Sequence, residues 1–309
     1  MNIVFAGTPE FALPTLETLY ESGNNIPLVI TQKDKPKGRG KKMQATPVKE
    51  KTLELGLEVY QPDSINSLES IEKLKKIAPD CIVVIAFGQM LKSEVLNLPK
   101  YGCINVHASL LPKYRGAAPI NWAIINGETE TGITIMKMDE GIDTGPILNM
   151  KSIPIEDIDN SISIHDKLSV IGGEILIETL DTLEKGEIKE TLQEDSLSTY
   201  AFILTKDMGK INWNSSGEKI INLVRGLKPW PSAYTMYNGE NIKIHKAKRM
   251  TKFEEGSSGT VVQVSDKGIF VNCKDECIVI EELQFPGKRK MHISEYLRGN
   301  KLNPWIKFS

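Results

Sequence analysis

Cys81-Ile82-Val83-Val84-Ile85-Ala86 decides the fold class, because every position of this run is apolar. A strand that is apolar on both faces is typical of the centre of a parallel sheet with helices on both sides. Similar strand-like runs alternate with helix-like segments along the first half of the chain. These runs span residues 3–6, 28–30, 58–60, 103–106 and 133–138. We therefore predict an α/β fold for residues 1 to about 185, built on a doubly wound, mostly parallel sheet.

Polar residues before the helix-like segments predict where the helices begin. Thr8 is a suitable N-cap with Pro9 at the first helical position, and Thr46 with Pro47 repeats the arrangement. Ser161 is the predicted cap of the last helix of this region.

A dinucleotide-binding fold is the main competitor, and the first strand-to-helix turn distinguishes the two. That turn reads Ala6-Gly7-Thr8-Pro9-Glu10-Phe11, with a single glycine where the dinucleotide fingerprint requires G-x-G-x-x-G. Without the second glycine the backbone cannot closely approach a pyrophosphate. We therefore expect no nicotinamide cofactor.

The pattern changes after Trp230, where five short β-like segments alternate with turn residues. They span residues 233–237, 242–246, 260–264, 269–272 and 278–283. This spacing predicts a small β-barrel of the OB-like type, a fold that often binds nucleic acid. We therefore predict a catalytic domain at 1–187, a linker at 188–205 and a C-terminal β-barrel domain at 206–309.

The net charge of −2 conceals an asymmetry between the two parts of the chain. Residues 205–309 carry 18 Lys and Arg against 11 Asp and Glu, a net of +7, which leaves −9 for residues 1–204. A basic domain favours a polyanionic partner, although a solvated basic face is the alternative. No stretch approaches the roughly 18 apolar residues of a membrane span, and the N-terminus has no basic leader, so we expect a cytoplasmic protein with reduced thiols.

Polar side chains appear at the end of one buried strand, in the stretch Gly102-Cys103-Ile104-Asn105-Val106-His107-Ala108-Ser109-Leu110-Leu111-Pro112. Because strand side chains alternate, Asn105 and His107 face the same side. Open α/β sheets bind ligands beyond the carboxyl ends of their strands, so this pair is a candidate site. The alternative is a histidine that is satisfied by a backbone carbonyl.

This stretch resembles the folate-dependent formyltransferases, whose signature is Asn-x-His-x-Ser-Leu-Leu-Pro followed by an Asp in a glycine-bounded turn. Here that turn is Gly141-Ile142-Asp143-Thr144-Gly145. The resemblance spans nearly the whole chain, and further stretches narrow it to the members that act on methionyl-tRNA. These stretches are Phe5-Ala6-Gly7-Thr8-Pro9-Glu10-Phe11-Ala12, Gly38-Arg39-Gly40-Lys41-Lys42, Arg115-Gly116-Ala117-Ala118-Pro119-Ile120 and Lys228-Pro229-Trp230-Pro231.

The resemblance implies that Asn105, His107 and Asp143 are catalytic. Attack of an amine on the formyl group of 10-formyltetrahydrofolate creates an oxyanion and requires protonation of the leaving nitrogen. Asn105 and His107 can donate to that oxyanion, and one such donor is typically worth ~2.7–4 kcal/mol of barrier. Asp143 would orient the imidazole and favour its protonated form. The constellation has no metal-ligand spacing, so we expect no metal.

The resemblance also implies two binding regions. The folate would contact two segments, which consist of Ser109, Leu110, Leu111 and Pro112, and of Phe87, Gly88, Gln89, Met90 and Leu91. The acceptor end of the tRNA would contact a basic loop, whose candidate residues are Lys35, Lys37, Arg39, Lys41 and Lys42. Cations on a loop rich in Gly and Pro suit phosphate contacts, although a solvated flexible loop is the alternative.

The implied function is transfer of the formyl group from 10-formyltetrahydrofolate to the amino group of initiator methionyl-tRNA, for translation initiation. Two alternatives remain open. The first is a formyltransferase for a small amine such as a sugar nucleotide, against which the basic C-terminal part argues. The second is a non-catalytic nucleic-acid-binding protein on an inactive formyltransferase scaffold, against which the intact catalytic residues argue.

Overall fold

A computed structural model describes residues 1–37, 40, 42–250 and 256–309 of the chain. The described residues form two compact units. The first comprises residues 1–119, 131–153 and 165–201, and the second comprises residues 120–130, 154–164 and 202–309.

Residues 1–201 contain eleven strands and six helices among the described residues. The strands are β1 (Asn2–Gly7), β2 (Asn25–Ile30), β3 (Lys35–Lys37), β4 (Lys42–Gln44), β5 (Val59–Tyr60), β6 (Cys81–Ile85), β7 (Cys103–His107), β8 (Arg115–Gly116), β9 (Glu130–Lys137), β10 (Ile147–Pro154) and β11 (Tyr200–Ala201). The helices are α1 (Leu13–Glu21), α2 (Pro47–Glu54), α3 (Leu68–Ile77), α4 (Ser93–Leu96), α5 (Pro119–Ile125) and α6 (Ser161–Glu184). Short 3₁₀ helices span Glu10–Ala12 and Asp195–Leu197.

A seven-stranded sheet organises the first unit, with the order β10-β9-β7-β6-β1-β2-β5. The pairs β1–β2, β1–β6, β2–β5 and β6–β7 are parallel, whereas β7 and β9 are antiparallel. All five residues of β6 are buried, as the apolar run predicts. The prediction of a doubly wound, mostly parallel sheet is therefore confirmed. From β1, the strands β2 and β5 are added on one side of the sheet, and β6 and the later strands are added on the other side. The boundary between β1 and β6 is therefore the topological switch point, where folds of this type form ligand-binding crevices.

The second unit contains an antiparallel sheet of short strands. Its later elements are α7 (Gly217–Gly226), β12 (Ala233–Tyr237), β13 (Glu240–Met250), β14 (Val261–Ser265), β15 (Gly268–Asn272), β16 (Cys277–Gln284), β17 (Met291–His292) and α8 (Ile293–Leu297), preceded by a 3₁₀ helix at Lys206–Gly209. The strand order is β12-β13-β16-β15-β14, and β17 pairs with β16. Five of these strands coincide closely with the predicted β-like segments.

The last residues of the chain join the two edges of that sheet. Trp305 N donates to Val261 O at 2.7 Å, and Phe308 N donates to Gly259 O at 2.8 Å, beside β14. Ser309 N donates to Met236 O of β12 at 3.1 Å, and Met236 N donates back to Ser309 O at 2.7 Å. The sheet is thus closed, and the prediction of a small β-barrel is confirmed.

The predicted helix starts are correct in one case of three. Thr46 caps α2, since its hydroxyl accepts from Lys49 N at 3.1 Å. Thr8 is not a cap, because its hydroxyl donates to Phe87 O at 3.0 Å, and the chain forms the 3₁₀ helix before α1. A long-range hydrogen bond therefore replaces the local cap expected there.

The start of α6 is displaced by one residue from the prediction. The cap is Asn160, whose Oδ1 accepts from Ile162 N at 3.0 Å. Ser161 is instead the first helical residue, and its hydroxyl donates to the carbonyl of Arg225 at 3.4 Å.

Among the described helices, none is long and apolar enough to cross a membrane.

Candidate active site

Asn105 and His107 lie at the carboxyl end of β7, on the same side of the strand. Asn105 is opposite Val84 of β6 and Met136 of β9, and His107 is opposite Thr134. These neighbours place both polar side chains within the sheet, where His107 is 6% exposed. Buried polar groups require hydrogen-bond partners, so the loops beyond the strand must supply them.

Asp143 is the residue that meets both side chains. Asn105 Nδ2 donates to Asp143 Oδ1 at 3.2 Å, and His107 Nδ1 lies 3.6 Å from Asp143 Oδ2. The main-chain N–H of Gly116 donates to the same Oδ2 at 2.8 Å. The structure thus brings together the three residues that the resemblance implies to be catalytic.

The second nitrogen of His107 is also engaged. Its Nε2 lies 3.0 Å from the main-chain oxygen of Tyr114. A neutral imidazole can donate from only one of its nitrogens, whereas the protonated ring donates from both. A main-chain carbonyl therefore lies beside one nitrogen of the ring and a carboxylate beside the other. A main-chain carbonyl does bind the ring of His107, which was the alternative to a functional role. The ring also faces a carboxylate.

The predicted folate segment 109–112 is a tight turn directly after β7. Ser109 is fully buried, and its hydroxyl donates to Lys113 O at 2.7 Å. Thr134 Oγ1 donates to Ser109 O at 2.7 Å and accepts from Leu111 N at 3.1 Å. Ser109 thus acts within the turn, while Leu110 and Pro112 are only half-buried.

The predicted folate segment 87–91 follows the neighbouring strand β6. Phe87 and Leu91 are buried, whereas Gly88 and Met90 are exposed. Gly88 has φ +81°, and its carbonyl accepts from Gln32 Nε2 at 3.1 Å. The segment therefore has exposed main-chain groups next to buried apolar side chains. It lies at the same edge of the sheet as Asn105.

The basic loop is a hairpin in which β3 and β4 pair, with Lys35 opposite Gln44 and Lys37 opposite Lys42. Of the five predicted tRNA-binding residues, Arg39 and Lys41 lie outside the described residues. Lys35 Nζ donates to Gln32 Oε1 at 2.5 Å. Lys42 is exposed.

Asp34 precedes this hairpin and carries the only negative charge between residues 33 and 42. A hydrogen bond from Gln61 and another from Lys49 hold the pKa of its carboxyl below the ordinary value. Because Lys49 lies in α2, the carboxylate is directed toward the body of the unit. The carboxylate of Asp34 thus binds two residues that lie outside the hairpin.

A basic cluster lies on the second unit, around His245 of β13. It consists of Lys228, Lys243, His245 and Lys290. Burial lowers the pKa of His245, and the charges of the three lysines lower it further, against a hydrogen bond with Gln284 that raises it. The three lysines are therefore close enough to His245 for their charges to act on it.

Arg115 and Gln193 lie beside the site and were not among the predicted site residues. Arg115 is 1% exposed, and its guanidinium is bound by Gln193, whose amide also contacts the Asp143 turn. Arg115 could have been suspected, since it follows the folate segment directly in a motif carried by the resemblance. Gln193 gave no signal, because it lies in the predicted linker. Among the described residues, no group of three or more His, Cys, Asp or Glu is placed to hold a metal.

Two family models match the chain. The model described as "Formyl transferase" matches residues 1–180, and the model described as "Formyl transferase, C-terminal domain" matches residues 203–301. The methionyl-tRNA formyltransferase of Caldanaerobacter subterraneus subsp. tengcongensis is 52% identical over 303 residues, which are 98% of each chain. The methionyl-tRNA formyltransferase of Clostridium acetobutylicum is 51% identical over 307 residues, which are 99% of each.

Solved structures of the same fold include formyltransferases with other substrates. A sugar 3N-formyl transferase is 22% identical with a TM-score of 0.67, over 94% of this chain and 99% of that one. The HypX protein of Aquifex aeolicus in complex with tetrahydrofolic acid is 18% identical with a TM-score of 0.65, over 97% of this chain and 47% of that one. At these identities the likeness concerns the fold.

Proposed function

Because this chain belongs to the formyl transferase family, we propose that it transfers the formyl group of 10-formyltetrahydrofolate to the free amino group of methionyl-tRNA. The observation that carries the proposal is the identity of about half of all residues with methionyl-tRNA formyltransferases over nearly the full length of both chains. The substrate amine would be that of the initiator species, so that the product serves translation initiation. The place of action would be the cytoplasm, where tRNA is used.

The catalytic roles are assigned from the geometry at the end of β7. Asn105 has one amide N–H on Asp143 and a second that can donate to the formyl oxygen as negative charge develops there. Nε2 of His107 is held by Tyr114 O, so Nδ1, which lies 3.6 Å from Asp143 Oδ2, is the nitrogen that we propose to donate to or exchange protons with the reacting atoms. Asp143 stabilises the protonated ring and orients the Asn105 amide.

The folate is the donor of the formyl group, and the two predicted segments fit such a co-substrate. Segment 87–91 offers exposed main-chain groups beside the buried Phe87 and Leu91, which suits a flat heterocycle with polar edges. Segment 109–112 places Leu110 and Pro112, both half-buried, next to the catalytic strand. We propose Ser109, which is fully buried, as the residue that holds this turn.

The tRNA would be bound by two basic regions. One is the loop with Lys35, Lys37 and Lys42, to which the resemblance adds Arg39 and Lys41. The other is the C-terminal part, with a net charge of +7 over residues 205–309. We accordingly propose a catalytic domain at 1–187, a linker at 188–205 and a tRNA-binding β-barrel domain at 206–309.

A direct assay tests the function. The protein is incubated with 10-formyltetrahydrofolate and either charged initiator tRNA or an amino-sugar nucleotide, and the formylated product is measured. We expect N-formylmethionyl-tRNA and no formylated sugar, with His107→Ala as the inactive control. Formylation of the sugar alone would favour the small-amine alternative, and binding of tRNA without any formyl transfer would favour the inactive scaffold.

A further inference from the structure

The side chain of Gln193 joins the Asp143 turn to a buried arginine. Gln193 Nε2 donates to the main-chain oxygen of Asp143 at 2.8 Å and to that of Gly145 at 2.7 Å. Its Oε1 accepts from Nε and Nη2 of Arg115 at 3.1 and 2.8 Å. A carboxamide has two N–H groups and one oxygen, so every polar group of the Gln193 side chain has a hydrogen-bond partner.

Arg115 fixes the orientation of that amide. The guanidinium belongs to a residue that is 1% exposed, and its Nη2 also donates to Asp195 Oδ1 at 2.8 Å. Arginine has only donors, so the oxygen of Gln193 must face it. The two N–H groups must then point at the turn. Because a buried charge is costly to leave without partners, this arrangement resists rotation of either side chain.

The turn that Gln193 holds is conformationally demanding. Asp143 has φ +53°, in the left-handed region that L-residues other than glycine seldom adopt. Gly145 lies so close to the sheet that a Cβ would come 1.9 Å from Lys137 O. Such a conformation persists only where the surroundings impose it. Gln193 contributes to this by donating to the two carbonyls on either side of Thr144, those of Asp143 and Gly145.

The dipeptide Arg115-Gly116 therefore holds both the side chain and the main chain of Asp143. Gly116 N donates to the carboxylate, and Arg115 holds the main chain through Gln193. The pairing of β8 with β11 fixes this dipeptide in turn, since Tyr200 lies opposite Arg115 and Ala201 opposite Gly116. The predicted linker thus contributes directly to the geometry of the Asp143 carboxylate.

We propose that Gln193 is a positioning residue for the formyl transfer: it acts through Asp143 and does not touch the substrates. The proposal rests on the proposed function. Loss of its two N–H groups would let the turn relax and move the carboxylate away from His107 and Asn105. A displacement of about 1 Å in a catalytic group can cost about 10²-fold in rate.

Gln193→Glu and Gln193→Ala test the proposal in the full-length protein. Glutamate keeps the length of the side chain and the partner of Arg115, but its carboxylate cannot donate to the two carbonyls. We expect both variants to lower kcat about 10- to 100-fold, with KM for folate and tRNA nearly unchanged. Glu194→Gln is the matched control, because Glu194 is the neighbouring residue, is exposed, and accepts from the hydroxyl of Ser196. We expect kcat of the control to remain within about twofold of the parent.

A double-mutant cycle separates positioning from general support of the fold. If Gln193 acts through Asp143, Gln193→Ala should cost little further in single-turnover rate once Asp143→Asn is present. Parental kcat in Gln193→Glu would overturn the proposal, as would equal losses in the two backgrounds. A parent protein that formylates no tRNA would instead contradict the proposed function.

Discussion

At the scale of single residues, the candidate site depends on one carboxylate with two hydrogen-bond donors and the ring of His107 beside it. Asp143 accepts from Asn105 and from the N–H of Gly116, and it faces His107. Replacement by asparagine retains the shape but removes the negative charge that faces the ring of His107. The asparagine would also have to direct an NH₂ group at one of the present donors.

We expect Asp143→Asn to lower kcat about 10²-fold or more, with little change in tRNA affinity. Single-turnover rates and tRNA binding measured on the same preparation check this. Asp166→Asn is the matched control, since Asp166 lies 2.9 Å from the ring of His165 in an exposed pair. The control should keep the parental rate. Parental turnover in Asp143→Asn would remove the carboxylate from the mechanism.

At the scale of elements, the sequence predicts most strands and fewer of the helix ends. β6 was predictable because a run of apolar residues this short, rich in β-branched side chains, is typical of a strand buried on both faces. The caps at Thr8 and Ser161 were predicted wrongly because both hydroxyls bind carbonyls distant in the sequence. A local pattern cannot reveal such partners.

The same limit applies to the candidate site. Asn105 and His107 share a face because of strand alternation, which the sequence shows directly. Asp143 was identified by resemblance, since nothing local joins it to a strand that is 36 residues earlier. Gln193 was missed because its partners are main-chain carbonyls and one buried arginine. Their contact depends on the folded chain.

The capped start of α2 allows a stability prediction. Thr46 Oγ1 accepts from Lys49 N and also lies 2.8 Å from the hydroxyl of Thr31, which is fully buried. Thr46→Ala should therefore lower the free energy of unfolding by about 1–3 kcal/mol, since the cap is lost and Thr31 loses a partner. Urea unfolding measures the change.

The cap of α3 provides the comparison for this prediction. Ser67 accepts from Ser70 N at 3.2 Å, and the Ser70 hydroxyl retains Ser64 O as an acceptor when Ser67 is removed. Ser67→Ala should therefore cost less than Thr46→Ala. An equal or larger loss in Ser67→Ala would show that the buried partner of Thr46 is unimportant.

At the scale of the whole molecule, the positive charge of residues 205–309 is unevenly distributed. The excess of positive charge over residues 205–309 includes the basic cluster, but some cations of this part are paired, among them Lys290 of the cluster, which binds Glu282 at 2.9 Å. Lys246 and Lys248, for example, both contact Glu281 at 3.0 and 2.7 Å. Net charge alone therefore does not describe where a polyanion would bind.

We expect Lys243→Glu to weaken tRNA binding strongly and to reduce the salt dependence of the affinity. Lys267→Glu makes the same change in net charge outside the basic cluster and should have a smaller effect. Binding of initiator tRNA by both variants, measured at low and moderate salt, distinguishes the two. Equal losses would mean that the charge acts as a diffuse field without a preferred surface.

The closure of the barrel by residues 305–309 has a consequence for biosynthesis. The ribosome makes these residues after every strand that they join. Until they arrive, Met236 of β12 and Val261 of β14 lack the main-chain partners that these residues supply, and exposed strand edges promote pairing between different chains. The hazardous interval for this molecule therefore lasts until residues 305–309 have been made, and chains released without these residues would tend to aggregate.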